Sequence, residues 1–424
     1  MEEQLLHFIW HRKLFDHTDL LTTTGAPVEI QHPGFANQHQ GPDFLQARIS
    51  IDNQLWAGHV EIHVRSSAWY LHMHDQDAHY NNVILHVVWK EDQPVHTPEG
   101  GLIPCLELAP RVDTALLDRY RNLMSNEEWV PCAPALMEVT PVLRTSWLSR
   151  MMVERLEKKS ETIHRIREMY KGDWEQTFYV LLARQLAAPA NSDAMEDLCS
   201  LVPLSLIRKH KNRPYQIEAM LFGAAGLITR DIHDPYIEKL RNEFSFLRRK
   251  YHLRSLEALR WKFLRMRPPS FPTIRIAQLA SIISGPDGFV SLVEHFSHSE
   301  DWIELFTVEP AHSFWENHYH FTTPSSPHPK RVGKSTAIGI VINVVAPLMF
   351  EYGKQQGKPA LKETAISLLE CLPPEKNAIL SGWEKSGWKA ENAGQSQALI
   401  QLKKTYCNPR KCLCCAIGLK VIRE

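Results

Sequence analysis

The sequence predicts an α+β protein: an N-terminal module in the order α-β-β-β-α-β with a mixed sheet, a mostly helical region after it, and a cysteine-rich tail. Three observations predict this. Polar and apolar residues alternate between Leu45 and Arg65, an apolar stretch runs from Val83 to Trp89, and beyond Pro110 the apolar spacing turns helical.

The first helix is read from EQLLHFIWHRKLF at 3–15, whose apolar residues recur at 5, 6, 9, 10 and 14. A strand follows at Val28–Gln31, and Gly34 and Gly41-Pro42 punctuate a loop. Leu45, Ala47, Ile49 and Ile51 then alternate with polar residues up to the turn Asp52-Asn53-Gln54, a hairpin signal. The returning strand, 55–65, sets Val60, Ile62 and Val64 on one face and His59, Glu61, His63 and Arg65 on the other, because strand side chains alternate. A short helix or turn spans Trp69–Tyr80, where Trp69 and Tyr80 read as packing residues and His72, His74 and His79 as solvent-facing. Val83–Trp89 is apolar on both faces apart from His86, as a central strand covered on both sides requires.

Helices are expected near 141–170, 174–187, 216–228, 235–251, 255–266, 275–284, 288–297, 335–352, 360–371, 375–384 and 395–406, with RMRPPSFP at 265–272 breaking the run. The expected division is a module at 1–110, a linker at 111–140, a helical domain at 141–390, and a terminal helix with the cysteine cluster at 391–424. A length of 424 residues fits two or three domains.

With 44% hydrophobic and 23% charged residues, the composition excludes a mostly disordered chain. No apolar run approaches the roughly 20 residues that span a bilayer, and the start MEEQLLHFIW is acidic where a signal peptide is basic. The expectation is a cytoplasmic protein without a membrane partner. The formal net charge of +0 hides an asymmetry: residues 1–110 carry 5 Lys+Arg against 14 Asp+Glu, a balance of −9, with 12 of the 22 histidines. Residues 208–275 carry 16 against 6, a balance of +10. A cation site beside a polyanion-binding surface gives such a pattern, and so do two solvated faces.

Asp43, opening the hairpin after Pro42, and Glu61-Ile62-His63 on the returning strand are the candidate catalytic residues. Two carboxylates on adjacent strands suit Mg²⁺ or Mn²⁺, which would activate water beside a scissile phosphate. With this element order, the placement resembles the PD-(D/E)XK nuclease core, whose second strand opens on Asp and whose third carries (D/E)-x-K. The resemblance implies a restriction-endonuclease-like module in which Asp43 and Glu61 hold the metal and His63 stands where the family places lysine, near the water. It also implies a first-helix carboxylate, for which Glu3 is the candidate.

More of the chain resembles a bacterial family, domain of unknown function 2851. The matching residues are Gly41-Pro42-Asp43-Phe44, Gly58-His59-Val60-Glu61-Ile62-His63, Trp69, His72, His74, Tyr80 and Leu85-His86-Val87-Val88, with Cys407, Cys412 and Cys415-Ala416-Ile417-Gly418 in the tail. The leading expectation is a metal-dependent nuclease. The alternatives are an inactive nuclease fold used as a nucleic-acid-binding or assembly scaffold, and a cupin-like metalloenzyme using His59, Glu61 and His63, a donor set that suits Fe, Mn or Zn.

In the tail, Cys412 and Cys415 have the C-x₂-C spacing of a zinc or iron–sulfur knuckle, with Cys407 a third thiolate, Cys414 a spectator and Cys132 or Cys105 a fourth ligand. Unmetallated thiols are the alternative. The arrangement is similar to nucleases of the PD-(D/E)XK superfamily that close their domain with an iron–sulfur cluster. Arg248, Arg249, Lys250, Arg260, Lys262, Arg265 and Arg267, with Trp261 interleaved, are the candidate nucleic-acid contacts. Gly333-Lys334-Ser335-Thr336 looks like the end of a P-loop, but His328 stands where its first glycine belongs. It reads instead as a helix start capped by Ser335 or Thr336.

Overall fold

The structure, a computed structural model, describes residues 1–229, 232–285 and 288–424. It divides into two compact units, one of residues 1–143 with 405–424 and one of residues 144–404.

The first unit is built on a six-stranded mixed sheet: β1 Val28–His32, β2 Phe35–Ala36, β3 Phe44–Ile51, β4 Gln54–Arg65, β5 Val83–Lys90 and β6 Cys105–Glu107. The spatial order is β1-β3-β4-β5-β6, with β2 paired to β3 beyond that path. β1, β3 and β4 run antiparallel in turn, while β5 lies parallel to β4 and β6 parallel to β5. The hairpin between β3 and β4 closes on Asp52 and Asn53, both at positive φ (50° and 62°), a pairing whose twist matches the strands it joins. A bulge interrupts the β3–β4 ladder between Phe44 and Ala47, where Gln46 takes φ 59°. Gly58 is required by a close approach, since a Cβ there would meet Ile84 Cγ2 at 2.4 Å and Asn82 O at 2.6 Å.

Helix α1, Glu3–His11, packs on β4 and buries Leu5, Leu6, Ile9 and Trp10, the spacing read as helical. Every residue of β5 from Val83 to Val88 is buried, as its unbroken apolar run predicts. The β4–β5 crossover is compact: helix α2, Ala68–Leu71, followed by 3₁₀ turns His74–Gln76 and Ala78–Tyr80. Segment 111–140, expected as a linker, instead folds into helix α3, Thr114–Ser125, and a 3₁₀ stretch Ala133–Glu138 inside this unit. The tail is divided: residues 405–424 rejoin the first unit, and Arg119 of α3 donates to Ile422 O at 2.9 Å.

The second unit is helical around buried Tyr179, Phe222, Phe289, Trp302, Phe306 and Trp315. Most expected helices occur within a few residues, including Trp174–Leu186, Pro235–Tyr251 and Pro359–Cys371. Segment 255–266 departs from expectation, holding only a 3₁₀ turn at Ala258–Arg260. Arg265 sits at φ 61° and Pro268-Pro269 follow, so the basic apolar pattern there has no helix to run along. Ser192–Leu201, Leu204–Arg208 and Ser299–Phe306 are helices the periodicity left unread.

The helix expected at 335–352 begins at Lys334 with Gly333 in the cap position, so neither Ser335 nor Thr336 caps it. It widens into a π segment at Val341–Val345 before continuing as Ala346–Gln355. Pro347 accounts for the widening, because it has no N–H and its ring presses on the carbonyl four residues back. By length and composition Lys334–Gln355 could cross a membrane, but most of that stretch is buried within the protein, as a core helix is.

Candidate metal centre

The site grows from the start of β3. Phe44 pairs with Val60, so Asp43 stands opposite Glu61 in register. There the two carboxylates take over the ladder: Asp43 N–H donates to Glu61 Oε2 at 3.0 Å and Ile62 N–H donates to Asp43 Oδ2 at 3.0 Å. The first helix contributes a histidine where a carboxylate was expected. His7 Nε2 lies 3.2 Å from Asp43 Oδ2, and Glu3, one turn earlier, adds its charge to the field around His7. Burial disfavours the charged form of His7, but its hydrogen bond to Asp43 and the charges of Asp43, Glu3 and Glu61 outweigh this and raise its pKa.

On the other side of Glu61 stand three imidazoles. Glu61 Oε1 lies 3.2 Å from His74 Nε2 and 3.6 Å from His63 Nε2, and His63 Nε2 lies 3.1 Å from His72 Nδ1. One nitrogen from each of His63, His72 and His74 falls within 4.8 Å of the others. Donors around a tetrahedral metal with bonds of about 2.0–2.2 Å sit about 3.3–3.6 Å apart, so the three imidazole nitrogens are close enough to share one ion, with Glu61 Oε1 beside those of His63 and His74.

The surroundings hold His63 and His86 neutral and orient His63. His63 Nδ1 and His86 Nε2 share a hydrogen bond of 2.9 Å, and a His63 that donates from Nδ1 presents the Nε2 lone pair to the site. Burial, joined by the neighbouring histidines, pushes the His63 pKa down to about 2, and burial pushes His86 down to about 3. Glu61 is shifted upward, chiefly by burial and the charge of Asp43, against the hydrogen bond from His74. His74 stacks on Tyr80 with ring centroids 3.9 Å apart and meets the edge of Trp69, whose Nε1 donates to His96 O at 3.1 Å. Trp69 and Tyr80, read as packing residues, are therefore the wall that fixes a donor.

Strand alternation put Glu61 and His63 on one face and the PD-(D/E)XK resemblance added Asp43, and the structure sets Glu61 beside both. It adds His72, His74 and His7, which alternation could not reach. Met73 sits between His72 and His74 in the left-handed region at φ 59°, a strained backbone for a side chain of its size. That kink turns both flanking imidazoles to one point, and the cluster His-x-His after a strand histidine was the only sequence signal for it. His59 belongs elsewhere: its Nδ1 accepts from Gln46 N–H at 3.3 Å beside an outer pocket with His32, Phe35, Arg48 and Asn82. The strands form one open sheet with parallel and antiparallel neighbours, whereas a cupin closes antiparallel strands into a barrel.

In the second unit, Arg248, Arg249 and Lys250 are exposed on the last turn of Pro235–Tyr251, and Arg260, Lys262, Arg265 and Arg267 are exposed in the irregular stretch after it. Arg260 is held 2.6 Å from Asp197. Trp261, expected to interleave as a stacking surface, is buried and donates to Ala225 O at 2.8 Å, so it is core. In the first unit, Cys412 and Cys415 are buried, Cys407 is half-buried and Cys414 is exposed.

A family model described as a protein of unknown function, DUF2851, matches residues 3–378, a span that includes the whole donor set and ends before the tail cysteines. No curated protein and no solved structure matches the chain.

Proposed function

The chain belongs to the DUF2851 family, and we propose that it is a metal-dependent phosphodiesterase acting on nucleic acid at this site. The observation that carries the proposal is the convergence of nitrogens of His63, His72 and His74 within 4.8 Å of one another, with Glu61 Oε1 3.2 Å from His74 and 3.6 Å from His63. Three imidazoles and a carboxylate favour Mn²⁺ or Zn²⁺ over Mg²⁺, which prefers oxygen ligands and water. Such a metal supplies Lewis acidity toward a phosphoryl oxygen and lowers the pKa of a water.

In this reading His63, His72, His74 and Glu61 are ligands, and His86 orients His63. Asp43, partly exposed beside Glu61, is the remaining carboxylate able to take a proton from an attacking water, with His7 beside it to share the charge. Phosphodiester chemistry is favoured over other hydrolysis because the strand directions and the placement of Asp43 and Glu61 resemble the PD-(D/E)XK arrangement, and because the second unit exposes a basic stretch.

Incubating the protein with single- and double-stranded DNA and RNA and Mn²⁺ tests this. Cleavage by the wild type that falls by at least about a hundredfold in Glu61→Ala supports it. Absence of cleavage on all substrates, or equal cleavage by the variant, overturns it. The histidine at position 63 favours one second reading, a nucleic-acid-binding scaffold, which salt-dependent binding without turnover would support.

A further inference from the structure

We propose that Cys132, Cys407, Cys412 and Cys415 form a second, thiolate-bound metal centre that ties the C-terminal tail to the first unit, independent of the histidine site.

Three of these side chains, from segments almost 300 residues apart in the chain, are buried within the same unit: Cys132, Cys412 and Cys415. Specific bonds stitch their two segments together. Arg410, in the left-handed region at φ 53°, donates its guanidinium to Met124 O and Asn126 O, and Asn126 Nδ2 donates to Pro131 O at 2.9 Å, immediately before Cys132. Within the tail, Arg410 N–H bonds back to Cys407 O at 3.1 Å, and Cys415 N–H bonds to Cys412 O at 3.2 Å. These two turns are the backbone geometry that a Cys-x₄-Cys-x₂-Cys ligand loop needs. Gly418 completes the packing, since a Cβ there would fall 2.3 Å from Cys412 O.

The Cys132 thiol lies within electrostatic reach of Cys415 and Cys412, and Cys412 within reach of Cys415. Among the described residues, which include all eight cysteines, no disulfide is formed. Cys105 lies apart, on β6 among Glu91, Glu107 and Thr23, which leaves Cys132 as the first unit's donor outside the tail. Among the described residues the donor atoms within 4.8 Å of one another are those of His63, His72 and His74, so the four thiols are spaced more widely than a single zinc ion would hold them and suit an iron–sulfur cluster better.

The test is elemental analysis and visible absorption of the full-length protein as isolated, in a His72→Ala/His74→Ala background that removes the other site. About one zinc per chain, or iron with thiolate charge-transfer absorption, supports the centre and says which metal it holds. The metal should fall at least about tenfold in Cys132→Ser and Cys412→Ser and persist in Cys414→Ser. Because a ligand variant can fail to fold, the wild type is also stripped and titrated with Cd²⁺, where a Cd–thiolate charge-transfer band is expected. Metal-free protein with no Cd²⁺ band, a disulfide between Cys132 and a tail cysteine, or equal loss in Cys414→Ser overturns the proposal. None of these outcomes depends on nucleic-acid cleavage.

Discussion

His63 and His86 share a buried hydrogen bond, Nδ1 to Nε2 at 2.9 Å, between neighbouring parallel strands. It fixes which nitrogen of His63 faces Glu61, and so makes a strand histidine into a directed donor. Replacing His86 by Leu leaves His63 Nδ1 without its partner in a buried site. The expected cost is about 1–3 kcal/mol of stability and about 10–100-fold in Mn²⁺ affinity, measured by urea denaturation and competitive titration. A variant with wild-type affinity would show that His86 does not position His63.

Asp43 both completes the sheet and faces the site, and two substitutions separate those roles. The side-chain amide introduced by Asp43→Asn retains an acceptor for Ile62 N–H, so this variant should keep the fold while losing nucleic-acid cleavage. Asp43→Ala should lose cleavage and about 1–3 kcal/mol of stability, because the Ile62 N–H is orphaned at the strand end. Thermal melts and initial rates on one substrate check both. Full activity in Asp43→Asn would remove Asp43 from the chemistry.

Trp69 is fully buried beneath His74 and hydrogen-bonded to His96 O. Truncation to Ala should cost about 3–5 kcal/mol through the cavity it leaves. Trp69→Phe keeps the aromatic wall and should lose far less, while retaining metal. Melting temperatures with and without Mn²⁺ distinguish the two, since only a protein with an intact site is stabilised by the ion.

Glu218 gives the second unit a pH dependence of its own. Buried and hydrogen-bonded to Tyr236, it has its pKa raised to about 7, chiefly by burial against the bonds from Tyr236 and Trp315. The folded state therefore holds its proton more tightly than the unfolded chain does. That contribution is fully present at pH below about 4.5 and is lost as pH rises toward 7, amounting to an effect on the order of 3 kcal/mol. In Glu218→Gln the stability of this unit should vary less between pH 5 and pH 7.5 (by about that order) than in wild type, as read by urea midpoints at both values. An identical slope in both proteins would contradict it.

Period-two alternation was enough to read β3 and β4 and to put Glu61 and His63 on one face, because side-chain direction on a strand follows from position alone, whereas Asp43 came from the nuclease-motif resemblance and the short strands β2 and β6 went unread. His72 and His74 were not legible in that way. Their convergence depends on Met73 adopting φ 59°, a backbone state that propensity argues against, with the ring of His74 held by Tyr80 and Trp69. Helix 255–266 was misread for a related reason. Its apolar residues, Trp261 among them, anchor an irregular chain to the core and do not line a helix face. The linker reading of 111–140 failed because the partner of that segment, the tail, lies almost 300 residues away in sequence.

The central claim, that Glu61, His63, His72 and His74 together hold one divalent ion, is tested most directly by Mn²⁺ titration followed by electron paramagnetic resonance. Mn²⁺ is suited to this site and poorly suited to thiolates, so the cysteines do not confuse the count. The account predicts about one bound Mn²⁺ per chain in the wild type and binding weaker by at least about tenfold in each of Glu61→Gln and His74→Ala, with both variants folded. Wild-type protein that leaves all Mn²⁺ free in solution, or variants that bind it as tightly, would contradict it.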